Sequence, residues 1–446
     1  MFRTFRSLQG FNYRIWAGGS FVSNIGTWMQ RIAQDWIVLT ELTDHNATSV
    51  GIVMGLQFGP QVLLLPFTGS AADYFDRRSL LFVTQTMMAL LALGLGLLTL
   101  TGLVQLWHVY LFALALGCVT AFDSPVRISF ISELVSDLHL SNAVALNSTS
   151  FNSARMIGPA IAGIAIAAIG AGWVFLANAA SFVAVIYALR LLRLDEIRPR
   201  TRSKPTRGSF FEGFNYVWNR PDLLTVFVML FLIGTFAVNF PIFIATMAVK
   251  VFKVGASEYG LLTSMMAIGS VIGALLAARR ESPRMSLLVI AAGFFGLGLA
   301  LAAVMPEFWT FSVVLVGVGL AAQTFTTTAN GALQLWADAS MRGRVIAMFL
   351  AVAMGGTPIG APLAGWVADS FGPRWAMLLG ALACVVAAAI GYRYLTRHRG
   401  LQLQWRGWYL HCHFAVPELE AALENAKVSE VAESATEQAA DSVKDN

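Results

Sequence analysis

Charge is what this chain lacks most. Of its 446 residues only 12% are charged while 57% are hydrophobic, against roughly 25% charged in an average soluble domain. So few charges cannot cover a water-facing surface, which excludes an ordinary soluble enzyme. Cysteine is nearly missing as well. Cys118, Cys384 and Cys412 give no disulfide framework and no CxxC metal pattern, and two of them lie in apolar runs, where Cys behaves as a small hydrophobe. His411, Cys412 and His413 are adjacent, but one short HCH stretch falls below the ligand count of a zinc site, so no metal is expected. The six histidines form no cluster at membrane depth, and His108, His139 and His398 lie at the ends of apolar segments. The chain has no GxxxxGK[ST] and hence no P-loop. GFFGLG (293–298) lies in an apolar helical run and follows no strand. These absences leave no enzyme chemistry and no cofactor to expect.

What the chain has is long apolar runs, and its mean hydropathy is +0.66. Twelve of them lie near 14–40, 48–72, 79–102, 107–133, 142–169, 172–192, 223–249, 258–278, 285–305, 308–336, 345–370 and 373–396. About 20 apolar residues cross a hydrocarbon core, and backbone groups in lipid must be satisfied internally, so the segments are helices. The basic N-terminus MFRTFRSLQGFNYR is followed by no A-x-A signature and reads as the lead-in to an uncleaved first span.

Lys and Arg placement sets the orientation. With the N-terminus in the cytoplasm, the inner loops hold Arg77, Arg78, Arg190, Arg193, Arg198, Arg200, Arg202, Lys204, Arg207, Arg220, Arg279, Arg280, Arg284, Arg342 and Arg344, and the outer ones only Lys250, Lys253 and Arg374. Both termini are then cytoplasmic. The pI of about 9.2 is a topology signal, because these basic residues form no compact patch for nucleic acid. The expected organisation is a six-helix half (1–194), a cytoplasmic linker (195–222), a second six-helix half (223–396) and a cytoplasmic tail (397–446). The last thirty residues of that tail, rich in Ala and Glu, read as a short helix and a disordered end.

The halves resemble each other. GPAIAG (158–163), Gly170 and Trp173 match GAPLAG (360–365), Gly372 and Trp375 at a single offset of 202 residues, as do Ala145 with Ala347 and Arg77–Arg78 with Arg279–Arg280. A parallel repeat of two helical halves is a transporter architecture.

Twelve spans, a six-plus-six repeat and GSAADYFDRR (69–78) after the second span resemble the major facilitator superfamily. Its loop motif is met by Gly69, Asp73, Arg77 and Arg78, while Tyr74 replaces a basic residue and Asp76 a second glycine. Asp76, GTWMQ (26–30), FDSPVR (122–127), RMIGPAIAG (155–163) and RGRVIAM (342–348) resemble the drug and siderophore efflux branch that contains enterobactin exporters. The resemblance covers about residues 10–396. It implies an all-α membrane protein of 12 transmembrane helices that works as a monomer in a bacterial inner membrane. It also implies that GPAIAG is the branch's antiporter motif.

Ionisable groups inside a span cost about 2.5–3.5 kcal/mol or more, and mark function by default. Asn24, Thr27, Arg31, Gln34 and Asp35 share one face of span one, with Arg31 and Asp35 an i,i+4 pair. Asp123 and Arg127 share a face of span four, and Asn152 and Arg155 of span five. Asp35, Arg31, Asp123, Arg127 and Arg155 are the proton-coupling candidates; the alternative for each is a satisfied structural pair. Gln323, Thr327, Asn330 and Gln334 stripe span ten, and Asn239 marks span seven. With Asn24, Gln34 and Asn152 they are the substrate candidates, lining a wet cavity between spans one, four, five, seven and ten. Gly158, Pro159, Gly163, Gly360, Pro362 and Gly365 are small or bending residues that let helices approach.

Arg77 and Arg78 need only the positive-inside rule; Asp73 and Asp76 need another reason. A carboxylate there can meet a helix N-terminus, and in the resembled fold span eleven faces it. Gly69, Asp73, Asp76, Arg77 and Arg78 therefore read as a cytoplasmic gate. The second half has Leu275 and Ala278 at the matching acidic positions. The expected function is proton-coupled efflux of a small amphipathic or hydrophobic compound, a drug or a siderophore, with the proton gradient as energy source. An importer or lysophospholipid flippase of the same fold, and a non-transporting membrane sensor or scaffold, stand as alternatives.

Overall fold

Helices begin where the sequence offers a cap or a break. The computed structural model describes residues 3–64, 67–68, 75–197, 209–278, 283–399, 401–406 and 409–414. After a short 3-10 turn (Arg3–Gln9), α1 (Phe11–Thr40) follows Gly10. Asn46 opens α2 (Ala47–Leu63) by accepting from the Ser49 N–H, and Asp76 opens α3 (Arg77–Leu100) by accepting from the Ser79 N–H, each at 2.8 Å. Gln105 and His108 form a reciprocal cap on α4 (Leu106–Leu134). Then come α5 (Asp137–Ile169), α6 (Ala171–Leu191), α7 (Ser209–Trp218) and α8 (Pro221–Phe236). Next are α9 (Phe240–Thr246), α10 (Ala256–Ala278), α11 (Met285–Val304) and α12 (Phe308–Trp336). The series ends with α13 (Arg342–Gly355), α14 (Thr357–Ser370) and α15 (Pro373–Arg399).

Among the described residues, 10 stretches are long and apolar enough to cross a membrane. Two are broken spans. Pro221–Phe252 joins α8 and α9 through Asn239 and ends in a π-helical turn, Met247–Phe252; Arg342–Ser370 joins α13 and α14 at Gly356. Pro241 and Pro358 follow the two breaks, where a missing N–H is tolerated. The sequence suggests twelve spans. The other two segments are helices too, but α1, 30 residues long, is interrupted by polar side chains, and the described part of α2 has 17 residues.

The repeat is visible in backbone and packing. Gly170 (φ +88) and Gly372 (φ +104) both take a positive φ with open space where a Cβ would stand, so the turn itself selects glycine. Trp173 and Trp375 follow them, 51% and 60% exposed at the first turns of α6 and α15, as interfacial tryptophans are. A Cβ on Gly158 would strike Trp28 of α1, and one on Gly360 the Thr235 carbonyl of α8. A Cβ on Gly163 would strike Ala256 of α10, and one on Gly365 the Ala47 carbonyl of α2. Each copy thus rests one glycine on the first helix of its own half and the other on the second helix of the opposite half. Pro159 and Pro362 lie inside α5 and α14 between those contacts. The α2–α14 and α5–α10 approaches bring the halves together at the end of the bundle away from Arg77, Arg78 and Arg342.

The chain divides into two compact units, residues 1–388 and 389–446. In the second, after α15, β1 (Leu401–Arg406) and β2 (Tyr409–Phe414) form an antiparallel hairpin that runs from Leu401↔Phe414 to Arg406↔Tyr409. The all-α expectation did not include it. The acidic last thirty residues lie outside the described residues.

Candidate functional site

The two intramembrane aspartates have opposite surroundings. Asp123 on α4 is held by three donors: Thr84 Oγ1 and Gln85 Nε2 donate to its Oδ1 at 2.7 Å each, and Arg127 Nε donates to Oδ2 at 3.0 Å. The Arg127 guanidinium also lies over the Trp16 ring at 5.8 Å. This node ties α3, α4 and α1 together and gives Asp123 three donors. The pair is held from three sides, although Arg127 Nη1 and Gln85 Oε1 find no partner among the described residues, and Arg155 is not bonded to it.

Asp35 on α1 is equally buried, at 6% exposure. Among the described residues it has one hydrogen bond, from Tyr259 Oη of α10, at 3.4 Å, long for an O–H donor. Trp36 stacks on that tyrosine at 6.2 Å. The expected i,i+4 ion pair with Arg31 does not form. The Arg31 guanidinium lies instead on the rings of Trp28 (4.8 Å) and Phe58 (5.5 Å), because α2 brings an aromatic face within reach and no second acceptor stands beside Asp35.

Arg155 of α5 meets α12, where its Nη2 donates to Gln323 Oε1 at 3.4 Å. Two residues expected on the cavity wall are thus brought together from opposite halves. Below Gln323, Thr327 bonds the Gln323 carbonyl at 2.7 Å and Gln334 Nε2 donates to Asn330 Oδ1 at 2.9 Å. The four stripe residues are half-buried, whereas Phe325, Ala329 and Leu333 behind them are buried. Gln34 accepts from Gln57 Nε2 at 3.2 Å but its own amide N–H₂ finds no acceptor. Asn239 donates to the Thr235 carbonyl at the break of span seven, and its Oδ1 is unpaired. Asn152 donates back to the Ser148 carbonyl within α5. Asn24 is half-buried on the α1 face shared with Thr27 and Arg31.

At the arginine-rich end, Gly69 and Asp73 lie outside the described residues, as do Arg279 and Arg280. Asp76 caps its own helix. Arg77 Nη1 pairs with Glu133 Oε1 of α4 at 2.6 Å, and Arg78 Nε donates to the Leu189 carbonyl of α6 at 2.9 Å. These contacts stay inside the first half.

The opposite end holds a contact that the sequence reading missed. Asp369, in the last turn of α14, accepts from the N–H groups of Ala47 and Thr48 at 2.8 Å each and from Thr48 Oγ1 at 2.7 Å. Lys250 Nζ completes it at 2.8 Å. A carboxylate from the second half thus caps the N-terminus of α2 in the first, where the helix dipole is positive. A signal was there to find. An acid in a helix's last turn opposes its own dipole, so its presence asks for a partner elsewhere.

Known proteins give the arrangement a context. A family profile described as "Transmembrane secretion effector" matches residues 4–427. The chain is 27% identical over 359 residues to the staphyloferrin A transporter of Staphylococcus aureus, covering 79% of this chain and 88% of that protein. It is 25% identical to the multidrug efflux pump Tap of Mycolicibacterium fortuitum, covering 86% of this chain and 95% of that one. It is 26% identical to the enterobactin exporter EntS of Salmonella choleraesuis, covering 74% and 79%. In fold it is similar to an inward-facing, occupied bacterial homologue of the human lysosomal transporter Spinster, with a TM-score of 0.67, 15% identity, and 88% and 97% of the two chains covered.

Proposed function

Since the chain belongs to the transmembrane secretion effector family of the major facilitator superfamily, it is a multi-pass membrane protein that moves a small molecule, and we propose that it does so as a proton-driven exporter. The substrate is an amphipathic or hydrophobic compound of the drug or siderophore kind, exchanged by alternating access. The relatives named as exporter and efflux pump support the direction. The Lys and Arg asymmetry supports cytoplasmic termini in a bacterial inner membrane.

The observation that carries the proton reading is the contrast between Asp35 and Asp123. A proton carrier must be able to change its bonding. Asp123 is held by three donors, whereas Asp35 keeps one long hydrogen bond and no ion pair. Protonating Asp35 removes a negative charge next to the α1–α10 contact between halves and so biases which end of the bundle is closed. Release to the other side restores it.

Inside-out vesicles test this with a labelled catecholate siderophore and a fluorescent cationic dye, with and without a pH gradient. Wild type accumulates one of them only with the gradient, and Asp35→Asn loses the gradient dependence while remaining folded. Gradient-driven accumulation that survives in Asp35→Asn would remove Asp35 from the mechanism.

A further inference from the structure

The charges at the middle of the bundle do not balance. Arg31, Arg127 and Arg155 stand there against Asp35 and Asp123, one positive charge in excess. Arg127 is paired with Asp123, and Arg31, which makes no ion pair, stands one turn from Asp35 with its guanidinium on two rings. Arg155 is the cation left with neither. Among the described residues it has no carboxylate partner, and the one hydrogen bond it makes is a long one, to a neutral amide, Gln323. An uncompensated ion in a low-dielectric interior is costly, so a guanidinium kept there without a counter-ion is not a structural choice.

Its surroundings are built for a particular guest. Phe151 lies one turn before Arg155 on the same face of α5 and packs edge-on against Trp28 at 5.8 Å. Trp28 in turn carries Arg31, and Phe58 closes the other side of that guanidinium. Two guanidiniums are therefore joined by a run of aromatic rings contributed by α1, α2 and α5, with amides on α12 opposite. A guanidinium offers paired donors that fit a carboxylate's two oxygens, and aromatic rings take a flat apolar body.

We propose that Arg155, with Gln323 opposite and the Phe151–Trp28–Arg31 run beside it, is the binding site for an anionic group of the transported molecule, so that the substrate is an organic anion with an aromatic or apolar body. The anion displaces the Gln323 amide from Arg155 and neutralises the excess charge. Substrate occupancy thereby replaces a direct contact between the halves with one through the ligand. This rests on reading the bundle as a transporter, but it does not require proton coupling.

The test uses the full chain in lipid nanodiscs and three probes that share one ring system: 2-naphthoate, 2-naphthamide and 2-naphthylmethylammonium. Thermal unfolding is followed as each is titrated. Naphthoate raises Tm in a saturable manner, and the amide and the ammonium do not. In Arg155→Gln the naphthoate concentration needed rises about tenfold or more, as loss of a charged hydrogen bond requires. Its ligand-free Tm is not lowered, because no native ion pair is broken. Arg155→Lys, which keeps the charge and loses the fork, retains part of the response. The proposal is overturned if the ammonium stabilises as well as the carboxylate, if naphthoate gives no shift in wild type, if Arg155→Gln responds like wild type, or if it unfolds earlier without ligand. None of these readings uses a pH gradient, so they stand or fall separately from the vesicle flux of Asp35→Asn.

Discussion

Replacing Asp369 with alanine should open the end of the bundle at which the halves meet. The side chain satisfies two backbone N–H groups and one hydroxyl at the head of α2 and one lysine from the π-turn after α9. Losing a helix cap costs about 0.5–2 kcal/mol. The ion pair adds little, about 0–1 kcal/mol, because Lys250 and Asp369 side chains are 24% and 22% exposed and solvent screens them. Once the halves separate, water takes over both partners, so the latch favours the closed end by about 0.5–3 kcal/mol, or roughly a 2- to 150-fold change in the closed-to-open ratio. Spin labels at positions 44 and 370, in a background with the three cysteines replaced, report the separation of the two segments by pulsed electron resonance in nanodiscs. Asp369→Ala should move population from the short to the long distance, and Asp369→Asn, which keeps one acceptor oxygen, should move less of it. An unchanged distance distribution in the alanine variant would mean that the glycine contacts alone hold this end shut.

Other consequences are simpler to measure. Asp123→Ala leaves Arg127 buried and unpaired and should cost about 3–5 kcal/mol, seen as loss of monodisperse protein on size-exclusion chromatography, whereas Asp35→Asn should retain its elution profile. Gly360→Val drives side-chain atoms into the Thr235 carbonyl and should lower stability by about 1–3 kcal/mol, read as thermal unfolding in detergent. Gly170→Ala meets no atom within 4 Å and should cost only the strain of a backbone conformation (φ 88, ψ 161) open essentially to glycine, about 1–3 kcal/mol.

The spans, their basic loops and the duplicated glycine motif were legible because hydrophobic length, charge asymmetry and close helix approach leave direct marks in sequence. The polar stripe of α12 was legible for the same reason: Gln323, Thr327, Asn330 and Gln334 repeat at helical spacing. What stayed hidden were partners distant in the chain. Nothing in the spacing of Asp35 reveals Tyr259, 224 residues away, and nothing near Arg77 reveals Glu133. Helical periodicity suggested Arg31–Asp35 as a pair, yet periodicity only makes two side chains neighbours; the rings of Trp28 and Phe58 decided where the guanidinium went. The hairpin at 401–414 follows a long apolar helix whose composition gives no warning of strands.

The duplicated glycine contacts make this chain its own control. Gly158 and Gly360 meet corresponding helices, as do Gly163 and Gly365; the first pair meets the Trp28 Cβ at one site and the Thr235 carbonyl at its twin, while the second pair meets a carbonyl at both, that of Ala256 and that of Ala47. The same substitution made at both members of a pair asks one question in two chemical settings within one molecule. All four contacts are with backbone or with a Cβ fixed to it, none with the free end of a side chain, so both copies should resist an added methyl.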